Sequence, residues 1–144
     1  MRLLEDDSGF TLIEILIVVV ILGFLVATVG PNLFQRVSQA ERTAAKNQLD
    51  VFELALDNYK LDNGRYPTTE QGLEALIYEP TLPPIPDKWR GPYLEKKEIP
   101  DDPWGNKYHY RCPGQHNNHS YDLWSYGADN KPGGSGDNAD VTNW

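Results

Sequence analysis

The chain has almost no sulfur: Cys112 is its one cysteine and Met1 its one methionine. A single thiol excludes an internal disulfide, so no oxidative staple can hold the fold. With no His grouped beside it in a catalytic pattern, Cys112 is expected to be a small buried hydrophobe. Excess positive charge is also lacking. Thirteen Lys and Arg face 21 Asp and Glu, for a net charge of −8. Phosphate backbones bind basic surfaces, so this balance excludes nucleic acid as a partner while leaving hard cations open. No Gly-rich phosphate loop, nucleophile elbow or catalytic triad is present, so no enzyme activity is expected. Internal repeats are absent too. Of 144 residues, the first thirty form a leader and an apolar stretch. That leaves room for one small domain with a modest core.

What is present in abundance is one apolar run. From Phe10 to Gly30 only Thr11, Glu14 and Thr28 interrupt it. As a helix, roughly 21 residues at ~1.5 Å each span about 30 Å, the hydrocarbon thickness of a bilayer. No face is left polar, so this is not an amphipathic surface helix. Glu14 is the exception. A carboxylate at membrane depth costs on the order of 2.5–3.5 kcal/mol, so it needs a partner. If the chain were cut after Gly9, the new amine at Phe10 could supply one, on the same chain or a neighbour. Gly23, Gly30 and Pro31 predict a kink or local melting between about Gly23 and Pro31.

Gly9-Phe10-Thr11-Leu12-Ile13-Glu14 ahead of an apolar run resembles the class III signal of type IV pilins and pseudopilins. The resemblance implies cleavage after Gly9 by a prepilin peptidase and N-methylation of Phe10. It also implies that Glu14 guides subunit assembly. A secretory signal is cut after its apolar region. Here the candidate site precedes it, so the helix stays on the mature chain. The leader, residues 1–9, departs from the usual basic pattern through Glu5, Asp6 and Asp7. Lys and Arg counted near the span ends, Arg2 against Arg36, Arg42 and Lys46, favour an outward N-terminus. The resemblance implies the opposite: N-terminus in the cytoplasm, residues 10–31 in the inner membrane and residues 32–144 in the periplasm.

Beyond Asn32 the pattern becomes amphipathic. Ala45, Leu49, Phe52, Leu56 and Tyr59 recur at three- and four-residue steps, with Ala55 beside them. They are expected to pack on a domain core. Asn63-Gly64 ends the helix. Thr68 and Gln71 match a capping box, predicting a short helix to about Tyr78 that buries Leu73, Leu76 and Ile77. Five prolines between Pro80 and Pro92 predict a surface loop. Asp101 to Asn106 reads as a turn. Lys107–Cys112 and Ser120–Tyr126 read as strands of an antiparallel hairpin, with Tyr121, Leu123 and Ser125 on one side of the second. His116 and His119 read as part of a polar hairpin loop rather than a metal pair, and His109 as structural. Gly127 to Asn143 reads as a Gly- and Asp-rich tail that ends in Trp144.

Leu61 to Leu73, Asp102-Pro103-Trp104-Gly105, Pro113 to His116, Ser125 to Asp129 and Asn143-Trp144 closely resemble major pseudopilins of type II secretion systems. The resemblance implies an α+β, type IV pilin-like fold: a long N-terminal helix packed on a small antiparallel sheet, with a C-terminal calcium-binding loop. Asp129, Asp137 and Asp140 lie among glycines in the tail. The spacing is not that of an EF-hand and by itself leaves a solvated acidic loop open. By resemblance, Asp129 and Asp140 are calcium ligands, joined by Asp137, Ser135 and backbone oxygens of Tyr126 and Lys131. The implied partners are further copies of the chain in a pseudopilus, the peptidase, minor pseudopilins and an inner-membrane assembly platform. Two alternatives are a type IV pilin of a surface pilus and a monomeric, membrane-anchored calcium-binding protein. The missing disulfide and the acidic Gly-rich tail count against the first.

Overall fold

The computed structural model describes residues 9–144, and the leader reading on residues 1–8 lies outside them. Helix α1 spans Leu12–Asn63. It is followed by a 3-10 turn at Leu73–Leu76, strands β1 (His109–Arg111) and β2 (Asp122–Ser125), a second 3-10 turn at Gly136–Asn138, and β3 (Val141–Thr142). Two compact units divide the chain, one ending at Val37 and the other Ser38–Trp144.

In the first unit every described apolar side chain from Phe10 to Val37 is largely exposed, Phe10 at 83% and Leu12 at 87%. Local melting between Gly23 and Pro31 does not occur: α1 is helical through Pro31. Proline removes one N–H and crowds one carbonyl, a local loss that strong helical segments on either side can bridge. Thr28, one turn before, turns its hydroxyl onto the Phe24 and Leu25 carbonyls at 3.0 and 3.1 Å, so its polar group is satisfied within the helix.

The second unit is built on the stripe at helical spacing. Ala45, Leu49, Phe52, Ala55, Leu56 and Tyr59 are all buried, together with Leu76 and Leu123. Phe52 meets Tyr108 edge-on at 5.2 Å, and Tyr59 meets Tyr93 at 5.6 Å. Such pairs add about 0.5–1.5 kcal/mol each beyond burial. The capping box forms: the Gln71 side chain accepts from Thr68 N–H at 3.0 Å and Gln71 N–H donates to the Thr68 hydroxyl at 3.2 Å. It opens onto a single 3-10 turn, not the expected α-helix, although Leu73, Ala75 and Leu76 are buried as the pattern requires. The Gln71 amide also donates to the Leu82 and Pro84 carbonyls at 2.8 and 2.9 Å. One side chain thus ties the turn to the proline-rich loop.

β1 and β2 pair antiparallel with Tyr110 opposite Leu123, and β2 pairs antiparallel with β3, Ser125 opposite Val141. The hairpin is the one expected, shortened at its ends. β3 falls where the sequence pattern shows only an irregular tail. Two residues carry no alternation, and the strand exists only because β2 offers an edge. Asn143 extends this edge, its side chain accepting from Leu123 N–H at 2.9 Å.

Asp122 lies on the side of β2 opposite the core, yet it is buried. Its carboxylate accepts the N–H groups of Gln115, His116 and Asn117 at 2.7, 3.0 and 2.9 Å. Burial pushes its pKa up, but those three amides and the His116 ring outweigh it and hold the carboxyl below its ordinary value. A depressed carboxylate contributes stability above its unfolded pKa and loses it as pH falls through the folded one. The unit should therefore weaken below about pH 4. Asp122→Ala strands three amides and should cost at least ~3 kcal/mol. Urea melts at pH 7 and pH 3 check both statements; an Asp122→Ala midpoint equal to wild type at pH 7 would refute them.

Candidate functional site

Two regions carry the residues singled out above. At the start of α1, Gly9 and Phe10 are exposed and precede the helix. Thr11 stands at the N-cap. Its hydroxyl accepts from Glu14 N–H at 3.3 Å, while a Glu14 carboxylate oxygen accepts from Thr11 N–H at 2.8 Å and the Thr11 hydroxyl at 2.9 Å. This is a reciprocal capping box, and it satisfies orphan groups of the first turn. Glu14 therefore has a local partner that charge reasoning missed. The Thr-x-x-Glu spacing of Thr11 and Glu14 was the available signal.

The second region is the loop from Tyr126 to Asp140. Tyr126 is half-buried, its ring 4.6 Å from that of His109. His109 also stacks on Trp124 at 5.4 Å, and burial holds its imidazole below its ordinary pKa, as fits a structural role. Asp129 is exposed and accepts from Lys131 N–H at 3.1 Å. Asp140 accepts from Gly133 N–H at 3.1 and 3.0 Å through its two oxygens. Asp137 instead receives the hydroxyl of Ser38 on α1. Ser135 is exposed and its carbonyl accepts from Asn138 N–H at 3.2 Å. Among the described residues no three carboxylate, thiol or imidazole groups converge on one point. Each aspartate has its own partner.

Glycine is needed here for space as well as for conformation. Gly127 has φ of +73°, and a Cβ on it would lie 2.7 Å from the Asp137 carbonyl oxygen and 2.9 Å from that of Ala139. Gly134, at φ +93°, is crowded in the same way by the Asn138 carbonyl. Backbone oxygens thus crowd the inner side of the loop. The carboxylates of Asp129 and Asp140 and the backbone carbonyls of the loop are all oxygen donors. That chemistry fits a hard cation such as calcium.

The loop is framed on both sides. Buried Asp102 accepts from Trp104 and Asn106 N–H at 3.1 and 2.8 Å and from the Ser125 hydroxyl at 2.5 Å. The Asn106 side chain then donates to the Gly127 carbonyl at 3.0 Å. Beyond the loop, Trp144 stacks on His116 at 4.1 Å and meets Trp124 at 5.9 Å. His116 is thus a packing partner of Trp144 and of Asp122. Cys112 is half-buried, less enclosed than expected, and burial raises its thiol pKa.

An exposed apolar segment at the start of a long helix, with a capped acid in its first turn, and a small α+β unit with a three-stranded antiparallel sheet define a pilin-like subunit. Comparison with known proteins makes this specific. The family described as "Type II secretion system (T2SS), protein G" matches residues 32–144, and the prokaryotic N-terminal methylation motif matches residues 6–30. The chain is 53% identical over 141 residues to the type II secretion system core protein G of Pseudomonas aeruginosa, covering 97% of this chain and 96% of that one. It is 45% identical over 144 residues to the protein of the same name from Vibrio cholerae, covering 100% and 96%. The crystal structure of the major pseudopilin from the type 2 secretion system of enterohaemorrhagic Escherichia coli matches with a TM-score of 0.66 at 41% identity, covering 79% of this chain and 95% of that one. The chain belongs to the type II secretion system protein G family, and so to the structural subunits of the pseudopilus.

Proposed function

We propose that this chain is the major, non-enzymatic subunit of a pseudopilus that drives protein export across the outer membrane. The observation that carries the reading is the apolar face of α1. From Phe10 to Val29 its large apolar side chains are exposed, each by half or more. Left in water, so large a patch would aggregate, so it is housed either in a bilayer or against other copies of itself. A pseudopilin uses both in turn. In this reading the helix anchors the subunit in the inner membrane with its domain in the periplasm, then leaves the bilayer to pack among neighbours. Minor pseudopilins and the assembly platform are the further partners.

The processing step is part of the proposal. The prepilin peptidase cuts between Gly9 and Phe10 and the new amine of Phe10 is methylated. Intact-mass measurement of membrane-extracted protein should show a chain that starts at Phe10 and carries one added methyl group. A mature mass that still includes residues 1–9, from cells with the cognate peptidase, would overturn it. Calcium in the 126–140 loop belongs to the same reading. Asp129 and Asp140 would hold the ion with backbone oxygens. Bound there, a divalent cation supplies the positive charge that lets these carboxylates share one small volume.

A further inference from the structure

Both ends of the C-terminal loop are tied to one turn of α1. Ser38 and Arg42 are four residues apart and so share a helix face. One Arg42 nitrogen, Nη1, donates to the Gly136 carbonyl at 3.0 Å and the Ala139 carbonyl at 2.8 Å. These two carbonyls bracket the second 3-10 turn, which has no side-chain cap of its own. Ser38 adds its hydroxyl to the Asp137 carboxylate between them. At the other end, Glu41 accepts from the Trp104 indole at 3.1 Å. Trp104 sits in the turn whose Asn106 side chain holds the Gly127 carbonyl. One and two turns further along α1, Ala45 and Leu49 are buried in the core, so the helix is the fixed side of this arrangement.

The loop itself has little to hold it. Gly133, Gly134 and Gly136 all lie at positive φ. Glycine loses the most backbone freedom on ordering, so a cation alone would have to oppose that entropy. We infer that Arg42 is the positioning residue of this loop, and that Asp137 serves the clasp to the helix rather than the ion. The proposal rests on the calcium reading above. It divides the three aspartates by their partners: Asp129 and Asp140 are bonded to amides of the loop, and Asp137 to the helix. Pre-ordering of the 136–139 segment by Arg42 lowers what cation binding must overcome. By linkage, calcium must in turn tighten the clasp by the same factor.

The test uses the full-length processed chain in detergent micelles. Calcium binding is measured by titration calorimetry for wild type, Arg42→Ala, Arg42→Lys, Asp137→Asn and Asp129→Asn. Amide exchange is followed with and without calcium. Two lost hydrogen bonds should raise the Kd of Arg42→Ala roughly 5–30-fold, with partial recovery in Arg42→Lys. Asp137→Asn still accepts the Ser38 hydroxyl and should bind calcium within about threefold of wild type, whereas Asp129→Asn should lose binding. Amides of Ala128, Asn138 and Ala139 should exchange faster in Arg42→Ala with or without calcium, while those of Leu49 to Tyr59 keep their protection and report an intact fold. Wild-type affinity in Arg42→Ala overturns the positioning role. Binding lost in Asp137→Asn as fully as in Asp129→Asn overturns the division of the aspartates. If wild type itself binds no calcium, the metal reading and the division of the aspartates fall with it. The exchange data then decide the clasp alone, and unchanged loop exchange in Arg42→Ala removes it.

Discussion

A Glu14→Ala subunit is expected to fold its Ser38–Trp144 unit normally and yet to enter filaments poorly, with at least tenfold fewer recovered. The fold should survive because Glu14 lies outside that unit in the chain and its hydrogen bonds are to Thr11. Assembly should fail for an electrostatic reason. When apolar helices pack together, water leaves and the effective dielectric falls. At an effective value of ~20, unit charges 4 Å apart attract by about 4 kcal/mol, against ~1 kcal/mol in water. A carboxylate facing a Phe10 amine of a neighbour gains on that scale, and about 1.4 kcal/mol already accounts for a factor of ten. The substitution also removes the carboxylate half of the capping box, while the Thr11 hydroxyl can still accept from the residue-14 N–H. Thr11→Val separates the two effects, because it loses the hydroxyl half of the cap and keeps the acid. Sheared cell-surface material viewed by electron microscopy gives the readout. A normal filament yield from Glu14→Ala would count against the pairing.

Calcium is expected to raise the melting temperature of the soluble unit on the order of 10 °C. Binding to the native state alone stabilises by about 2.7 kcal/mol at a hundredfold excess over Kd. For a domain near 100 residues, each kcal/mol moves the midpoint by roughly 4 °C or more. The stabilisation originates in the loop, where like carboxylates repel and glycines resist ordering. Its outlet is the C-terminus. Ordering through Asp140 feeds directly into β3, and β3 leads to Trp144 on the Trp124 face. Near-ultraviolet dichroism should therefore sharpen along with the thermal shift. Calcium should act better than magnesium, which demands a smaller and more regular oxygen shell. A fragment from about Asn32 onward suits the measurement, and the matched crystal structure covers a comparable share of the chain. No shift between calcium and chelator would mean no such site. A full response from Asp129→Ala would mean that other oxygens hold the ion.

Much of this protein is legible in its sequence. The apolar run, the stripe from Ala45 to Tyr59 and the Thr68–Gln71 box are local patterns. Each is written within a few residues, and helix periodicity converts it directly into a face or a cap. The hairpin of β1 and β2 is legible for the same reason, since its partners lie close in the chain. The signal at Gly9 to Glu14 is local too, and it lies within the match to the N-terminal methylation motif. Tertiary structure alone decided what depends on distant partners. β3 is two residues with no periodicity, made a strand by the free edge of β2. Asp122 sits on the outward side of its strand and is buried only because the amides of Gln115 to Asn117 wrap around it. The three aspartates of the tail look equivalent in the sequence. Folding separates them: the hydroxyl that reaches Asp137 comes from Ser38, 99 residues earlier, while Asp129 and Asp140 find amides within their own loop. A local pattern records which residues share a face of one element, but not which distant group will arrive there, because that is set by how the elements pack.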